Sequence, residues 1–141
     1  MKCSTSKIIA ACSAAAFVAL AGSQMASAQD APAPKPKIVL KQDLEGVSGK
    51  EVALSLVEFP PGSAEVPHTH PAELFVFVRE GEVSLETEGK PTTSYKVGDV
   101  FSVGTGKVHR VSNNGTVVAR TVAFFVAEKG KPLTLPTAPA K

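Results

Sequence analysis

The sequence has few cysteines, the residues that can act as catalytic nucleophiles or form the disulfide bonds that stabilise small folds. Its 141 residues include two cysteines, one tyrosine and no tryptophan. Cys3 and Cys12 both lie close to the N-terminus, which excludes a disulfide framework across the chain and a cysteine nucleophile beyond that segment. No cluster of lysine and arginine is present, which argues against a nucleic-acid partner. The fold must therefore depend on an apolar core, and the function on other residue types.

Residues 1–28 have the layout of a secretory signal peptide. A start with two lysines precedes an apolar run over residues 8–22, which is short for a bilayer span. An A-x-A pattern of small residues at 26–28 then predicts cleavage after Ala28. An uncleaved membrane anchor is the alternative, which this cleavage pattern disfavours. The protein is therefore expected to be periplasmic or secreted, with no membrane partner after cleavage.

The rest of the chain divides into a central domain and a proline-rich segment at each end. Residues 29–37 are rich in proline and alanine and predict an extended linker. Residues 132–141 repeat that composition and predict a flexible proline-rich tail. Residues 38–131 are enough for one core and too few for two domains. Loss of the two leader lysines leaves 13 basic and 13 acidic residues, a net charge of zero. The net charge therefore does not indicate a charged partner for the domain.

The central segment has the pattern of an all-β domain. Stretches rich in valine, leucine, phenylalanine and threonine alternate with turns built from glycine, proline and asparagine. After the leader, no apolar repeat has a helical period, so the pattern predicts a small β-barrel or sandwich. A domain of this size without disulfides is also expected to gain stability by pairing as a homodimer. The eight predicted strands are KIVLKQDL, EVALSLVEF, ELFVFVRE, EVSLETE, TTSYKVG, DVFSVG, KVHRVSN and VVARTVAFFVAE.

All three histidines of the sequence stand where they can meet. His68 and His70 are two residues apart, so on an extended strand both side chains point to the same face. His109 lies in a later predicted strand, and strands far apart in sequence can face each other inside a barrel. Three converging neutral imidazoles form a site for a divalent transition metal ion such as Fe, Mn, Zn, Ni or Cu. Three hydrogen-bonded histidines without a metal are the alternative.

The residues around the first two histidines resemble the first signature motif of the cupin superfamily. That motif runs from a glycine through five residues to H-x-H, and then to a glutamate and a closing glycine. Here Gly62, His68, His70 and Gly81 occupy the corresponding positions. The resemblance implies the cupin fold, a double-stranded β-helix or jelly roll, in which both histidines are metal ligands.

The residues around the third histidine resemble the second cupin motif. Gly98, Gly106, His109 and Asn113 are in register with it, and Gly104 stands where the motif has proline. The two motifs and the strands around them cover nearly the whole domain. The resemblance therefore implies that His109 completes a metal site with the other two histidines.

One position departs from the cupin pattern. The glutamate ligand of the first motif would stand at position 74, which is Leu74, and in a regular strand the neighbouring Glu73 points to the opposite face. Three hypotheses follow, in order of preference. The three histidines hold the metal alone, a bulge in the Pro71-Ala72 turn rotates Glu73 inward as a further ligand, or the site has lost its metal.

The resemblance and the histidines together indicate what the protein does. A metal on three protein ligands keeps positions open for water, dioxygen or a substrate, so we expect an exported cupin with a dioxygenase- or lyase-type reaction on a small molecule. No catalytic residue is identified. A non-catalytic module for a small ligand or metal, and a structural dimer with a vestigial site, are the alternatives. The expected pocket wall is apolar and consists of Leu74, Val76, Phe101, Val103, Val108 and Phe124.

Overall fold

Ten β-strands form two five-stranded sheets around one core. A computed structural model of the chain describes residues 32–137, and the predicted signal peptide and its cleavage site lie outside this range. Within the range the chain forms no helix, and hence none long and apolar enough to cross a membrane. The strands are β1 Lys35–Asp43, β2 Lys50–Phe59, β3 His68–Thr69, β4 Ala72–Glu80, β5 Glu82–Thr87, β6 Thr93–Lys96, β7 Val100–Val103, β8 His109–Ser112, β9 Ala119–Glu128 and β10 Leu135–Pro136.

The order of the strands is that of a jelly roll. The first sheet has the order β1-β2-β9-β4-β7, and the second has the order β10-β3-β8-β5-β6. All neighbouring strands are antiparallel. From β2 onward the chain passes repeatedly from one sheet to the other, so that strands far apart in sequence become neighbours. The predicted all-β class and jelly-roll architecture are confirmed.

Strand alternation divides the inner face of the first sheet from its outer face. In β4, every second residue from Ala72 to Val78 is buried, while Phe75 and Phe77 between them are 44% and 42% exposed. The strand β9 alternates in the same way. The inner faces of the two sheets therefore supply the core, which consists of Ala53, Val57, Phe59, Ala72, Leu74, Val76, Val78, Val83, Leu85, Phe101, Val103, Val111, Ala119, Ala123, Phe125 and Ala127.

All eight predicted strands are present, and the structure adds two short ones, β3 and β10. Each has two residues, too few to show an alternating pattern, and they pair with each other through Leu135 with Thr69 and Pro136 with His68. Two residues of the segment expected to be a flexible tail, 135 and 136, thus form an edge strand beside the first histidine. The strand β1 likewise begins at Lys35, inside the expected linker. Proline favours extended backbone and is tolerated on edge strands, which is why these proline-rich ends can join the sheets.

Gly81 makes the tight turn between β4 and β5. Its φ of +69° lies in the left-handed region, where residues with a side chain are strained. A Cβ atom at this position would also lie 2.9 Å from the Cα atom of Ala119 and from the carbonyl oxygen of Val118. Both the backbone conformation and the close approach of β9 therefore require glycine here.

Asn113 closes the turn after β8 from inside. Its side chain is 1% exposed, and its amide nitrogen donates to the carbonyl oxygens of Phe59 at 2.8 Å and Val117 at 2.7 Å. Its side-chain oxygen accepts from the backbone N–H of Gly115 at 2.9 Å. This residue therefore ties the end of β2 and the approach to β9 to the strand that carries the third histidine.

Candidate metal centre

The three histidines lie together inside the barrel. One ring nitrogen from each of His68, His70 and His109 lies within 4.8 Å of the other two. The Nε2 atoms of His68 and His70 are 3.1 Å apart. His70 and His109 are buried, whereas His68 is half-buried. The structure thus brings together all three residues that the sequence analysis singled out.

Strand pairing explains why these three side chains meet. The short strand β3 pairs with β8 through His68 and His109, so the two side chains project from neighbouring positions of the same sheet. His70 follows two residues later, and its ring packs at 5.1 Å against the ring of Phe125 from the first sheet. The histidines therefore enter the space between the sheets from the second sheet and reach the wall formed by the first.

Backbone carbonyl groups fix the orientation of all three rings. A carbonyl oxygen can only accept a hydrogen bond, so a ring nitrogen facing it must carry the proton. Each Nε2 atom then keeps its lone pair free, the arrangement that metal-binding histidines adopt. The three Nδ1 contacts are His68 to Val66 at 2.8 Å, His70 to Leu133 at 2.6 Å and His109 to Lys107 at 3.0 Å.

The donor set fits a divalent transition metal ion. Metal–nitrogen bonds of about 2.1 Å with tetrahedral or octahedral angles place the nitrogens roughly 3 Å apart. The 3.1 Å separation between His68 Nε2 and His70 Nε2 matches this spacing. Two unprotonated nitrogens at that distance repel each other unless a cation lies between them. Neutral imidazoles are ligands suited to zinc, copper, iron and nickel.

Two of the rings are held in the neutral form that binds metals. Burial lowers the pKa of His70 to about 4, against the hydrogen bond to Leu133, which raises it, and with further lowering from His68 and His109. Burial likewise lowers the pKa of His109 below its usual range, although the carbonyl of Lys107 opposes the shift. Both rings are therefore uncharged at pH 7, and protons compete little with a metal ion there.

The metal-free protein is expected to lose stability as the pH falls from about 6.5 toward 4. The pKa of His70 is about 4 in the folded protein against 6.5 ordinarily, so the unfolded chain takes up the proton first. The contribution of His70 to the free energy of unfolding is therefore complete above pH 6.5. It decreases by roughly 3 kcal/mol as the pH falls toward 4. Urea unfolding across this range measures it, with His70→Gln as a control that cannot take up the proton. Equal pH dependence in the two proteins would contradict the expectation.

Glu73 lies outside the centre. Leu74 is 4% exposed and faces the core, whereas Glu73 is exposed and accepts a hydrogen bond from the Thr105 hydroxyl at 3.0 Å. In this part of β4 the pairing with β9 is regular, with Glu73 opposite Val126 and Leu74 opposite Phe125. The hypothesis that a bulge turns Glu73 inward as a ligand is therefore wrong, because the strand has no bulge at that point.

A cavity of about 520 Å³ adjoins the histidines. Leu74 and Val76 line it, as expected, together with Val57, Phe59, Val111 and Phe125. Within the described part of the chain, its lining contains no lysine or arginine. The cavity therefore suits a small molecule with an apolar body.

The expected wall needs several corrections. Phe101 and Val103 belong to the core without bordering the cavity, and Val108 borders a separate groove. Phe124 lies on the outer face, and Phe125 takes the place expected for it. Only one of two successive residues can face inward, and pairing opposite Leu74 selects the second phenylalanine.

Glu65 is a candidate site residue that the sequence analysis missed. Its backbone N–H donates to the carbonyl of Val111 at 2.9 Å, and its carboxylate Oε2 accepts from the Val111 N–H at 3.0 Å. Glu65 is among the residues that line the cavity. Burial raises the pKa of Glu65, while His68 and the Val111 hydrogen bond lower it. Its position three residues before His68 was the only available signal, because alternation does not predict which way a loop residue points.

Comparison with known families identifies the class of protein. The family model of the cupin domain matches residues 55–125, just over half of the chain, and this range includes all three histidines. The chain therefore belongs to the cupin family. The resemblance drawn from the two motifs is confirmed.

The relatives of this chain include plant proteins and bacterial barrels. Germin-like protein subfamily 2 member 1 of Arabidopsis thaliana is 41% identical over 87 residues, or 58% of this chain and 40% of that protein. The chain spans less than half the length of the curated relatives it matches.

Two solved structures share the fold. A conserved double-stranded β-helix protein from Klebsiella pneumoniae has a TM-score of 0.61 at 22% identity, covering 82% of this chain and 99% of that chain. The DMSP lyase DddQ from Ruegeria pomeroyi DSS-3 has a TM-score of 0.64 at 21% identity, covering 83% and 58%. At these identities the similarity establishes the fold.

Proposed function

We propose that this chain is a metal-dependent cupin that acts on a small molecule. In this proposal His68, His70 and His109 bind one divalent transition metal ion, and the molecule occupies the adjoining cavity. The observation that supports it best is the convergence of three ring nitrogens within 4.8 Å, each ring held by a carbonyl group at its other nitrogen.

The residues around the centre favour chemistry at open metal positions. A bound divalent metal supplies Lewis acidity or, where it is redox-active, activation of dioxygen. Leu74 stands where the cupin motif has a glutamate, so the protein ligands bring no negative charge to the centre and the charge of the metal is retained. The apolar part of the wall shields that side of a bound molecule from water. These features support a dioxygenase- or lyase-type reaction.

The substrate class follows from the lining of the cavity. Valine, leucine, phenylalanine, alanine and proline side chains together form most of the wall, and the lining within residues 32–137 carries no lysine or arginine that would bind an anionic group. A small molecule with an apolar body suits this wall better than a dicarboxylate or a sugar phosphate does. A non-catalytic module for the same kind of ligand is the second candidate, favoured by the absence of the motif glutamate.

Metal content is the experiment that tests the proposal. The mature protein is purified without chelator or affinity metal, and its metals are measured by mass spectrometry. Near one transition metal ion per chain is the expected result. No metal on purification, together with no uptake on titration with iron, manganese, zinc, nickel or copper, would overturn the proposal. Bound metal without turnover of any small molecule tested would favour the binding module.

A Glu73→Gln variant is expected to keep its metal affinity within about twofold. The carboxylate of Glu73 faces away from the histidines and contacts Thr105, so removing its charge leaves the centre unchanged. Isothermal titration of the metal-free variant and of the wild type provides the measurement. A loss of tenfold or more would instead support an inward Glu73.

Export and assembly complete the proposal. We propose that the protein works in the periplasm or outside the cell after cleavage behind Ala28, and as a homodimer. The exposed Phe75 and Phe77 on the outer face of the first sheet support pairing, because a partner would bury them.

A further inference from the structure

We infer that Glu65 binds a hydrogen-bond donor, an ammonium or hydroxyl group, of the small molecule that occupies the cavity. The molecule would then be bifunctional, with a metal-binding atom at one end and the donor group at the other. This inference rests on the proposed function, because it requires the first end to be held at the three-histidine centre.

The position of Glu65 along β8 sets the distance between the two ends. His68 pairs with His109, and Glu65 pairs through its backbone with Val111, two residues further along the same strand. Two residues of a β-strand span about 7 Å. Glu65 is accordingly not one of the groups that converge within 4.8 Å. It is too far away to join the three histidines, and near enough for one small molecule to bridge the gap.

The carboxylate of Glu65 is held in place with one oxygen available. Oε2 accepts the Val111 N–H at 3.0 Å, in the place a backbone carbonyl would take in a regular ladder. Among residues 32–137, no donor contacts the other oxygen, Oε1. Because a fixed carboxylate loses little freedom on binding, it is suited to recognise a donor group.

The rest of the cavity gives this oxygen no partner. The lining within the described range has no lysine or arginine, and Glu65 is its only carboxylate. A half-buried carboxylate is stabilised by a donor that compensates for the water it has lost. Ser55 also borders the cavity, and its buried hydroxyl makes no hydrogen bond within the described part of the chain. The wall therefore offers the carboxylate of Glu65 and the hydroxyl of Ser55 to the donor end of a ligand.

Three thiols of nearly equal size test the inference. In 2-aminoethanethiol, 2-mercaptoethanol and 3-mercaptopropionate the same sulfur binds the metal, while the other end is a cation, a neutral donor and an anion, respectively. The protein is loaded with Co²⁺, whose sulfur-to-metal absorption band reports binding at the centre. The dissociation constants that are compared refer to the thiolate form, so each measured value is corrected for the fraction of that thiol that is ionised at the pH of the experiment.

The wild type is expected to bind the ammonium thiol about tenfold or more tightly than the carboxylate thiol, with the hydroxyl thiol between them. In Glu65→Gln the preference for the ammonium thiol over the carboxylate thiol is expected to fall below about threefold. The amide oxygen of the glutamine can still accept from Val111, so the loop is retained. Glu73→Gln removes one negative charge on the outer face and is the matched control, expected to keep the wild-type preference.

The outcomes separate this inference from the proposed function. The measurement on the wild type alone can overturn the role of Glu65. It does so if the protein binds Co²⁺ and the thiols but prefers the carboxylate thiol or shows no preference. A Glu65→Gln protein with full cobalt content and an unchanged preference overturns it as well. Wild-type protein that takes up no Co²⁺ overturns the proposed function instead.

Discussion

A His109→Ala variant is expected to lose metal binding while keeping the barrel. The imidazole of His109 is one of three that converge, and two remaining histidines leave a centre that holds a divalent ion weakly. Loss of a group that only orients a metal ligand already costs 10- to 100-fold in affinity, so loss of the ligand itself should cost more than about 100-fold. Titration of metal-free protein and metal analysis of the purified variant measure the change.

Arg110 provides the matched control for this variant. It is the next residue of β8, but its side chain faces outward and pairs with Glu86 at 2.9 Å. An Arg110→Ala protein should therefore bind metal like the wild type. Circular dichroism shows whether both variants retain the β-fold, as expected, because β8 pairs through its backbone. A folded His109→Ala protein with one metal ion per chain would refute the three-histidine centre.

An Asn113→Ala variant is expected to lose about 4 kcal/mol of unfolding free energy. The substitution removes three hydrogen bonds at a side chain that is 1% exposed. The carbonyls of Phe59 and Val117 then lose a buried donor, and the N–H of Gly115 loses its acceptor. An unsatisfied buried polar group costs about 1 to 3 kcal/mol, and water entering the space left by the side chain restores part of this.

Urea unfolding compares the variant with Asn114→Ala. Asn114 is the adjacent residue, is exposed, and within residues 32–137 its side chain donates only to the hydroxyl of Ser84 at 3.3 Å. Its replacement should change stability by less than about 1 kcal/mol. A loss below 1 kcal/mol in Asn113→Ala would mean that water replaces all three hydrogen bonds and that the buried amide does not hold the turn.

Long strands and the histidine motif could be predicted from the sequence because each leaves a regular local signal. The pattern ELFVFVRE is long enough to show period two, and it corresponds to β4. The H-x-H spacing and the register of His109 with the second motif predicted the three residues that now lie within 4.8 Å. In both cases, the spacing of residues within a short stretch of sequence was sufficient for the prediction.

Features set by pairing across the barrel could not be predicted. Two faces of β4 are apolar, so burial alone did not distinguish an inward Leu74 from an inward Glu73, whereas pairing with β9 does. The same pairing selects Phe125 over Phe124. Glu65 lies in a loop, where no period relates sequence to direction, and its orientation depends on a hydrogen bond to Val111, 46 residues away.

The hydrogen bond from His70 to the carbonyl of Leu133 ties the centre to the last strands of the described chain. It joins residues 63 positions apart, and β10 beside it, which pairs with β3, follows the last strand of the first sheet along the chain. Contacts of such long range form late in folding. Before then, His68 and His70 offer an unfixed pair of ligands that holds a metal weakly. If the proposed export precedes folding, the metal supply of the destination compartment would therefore select the ion.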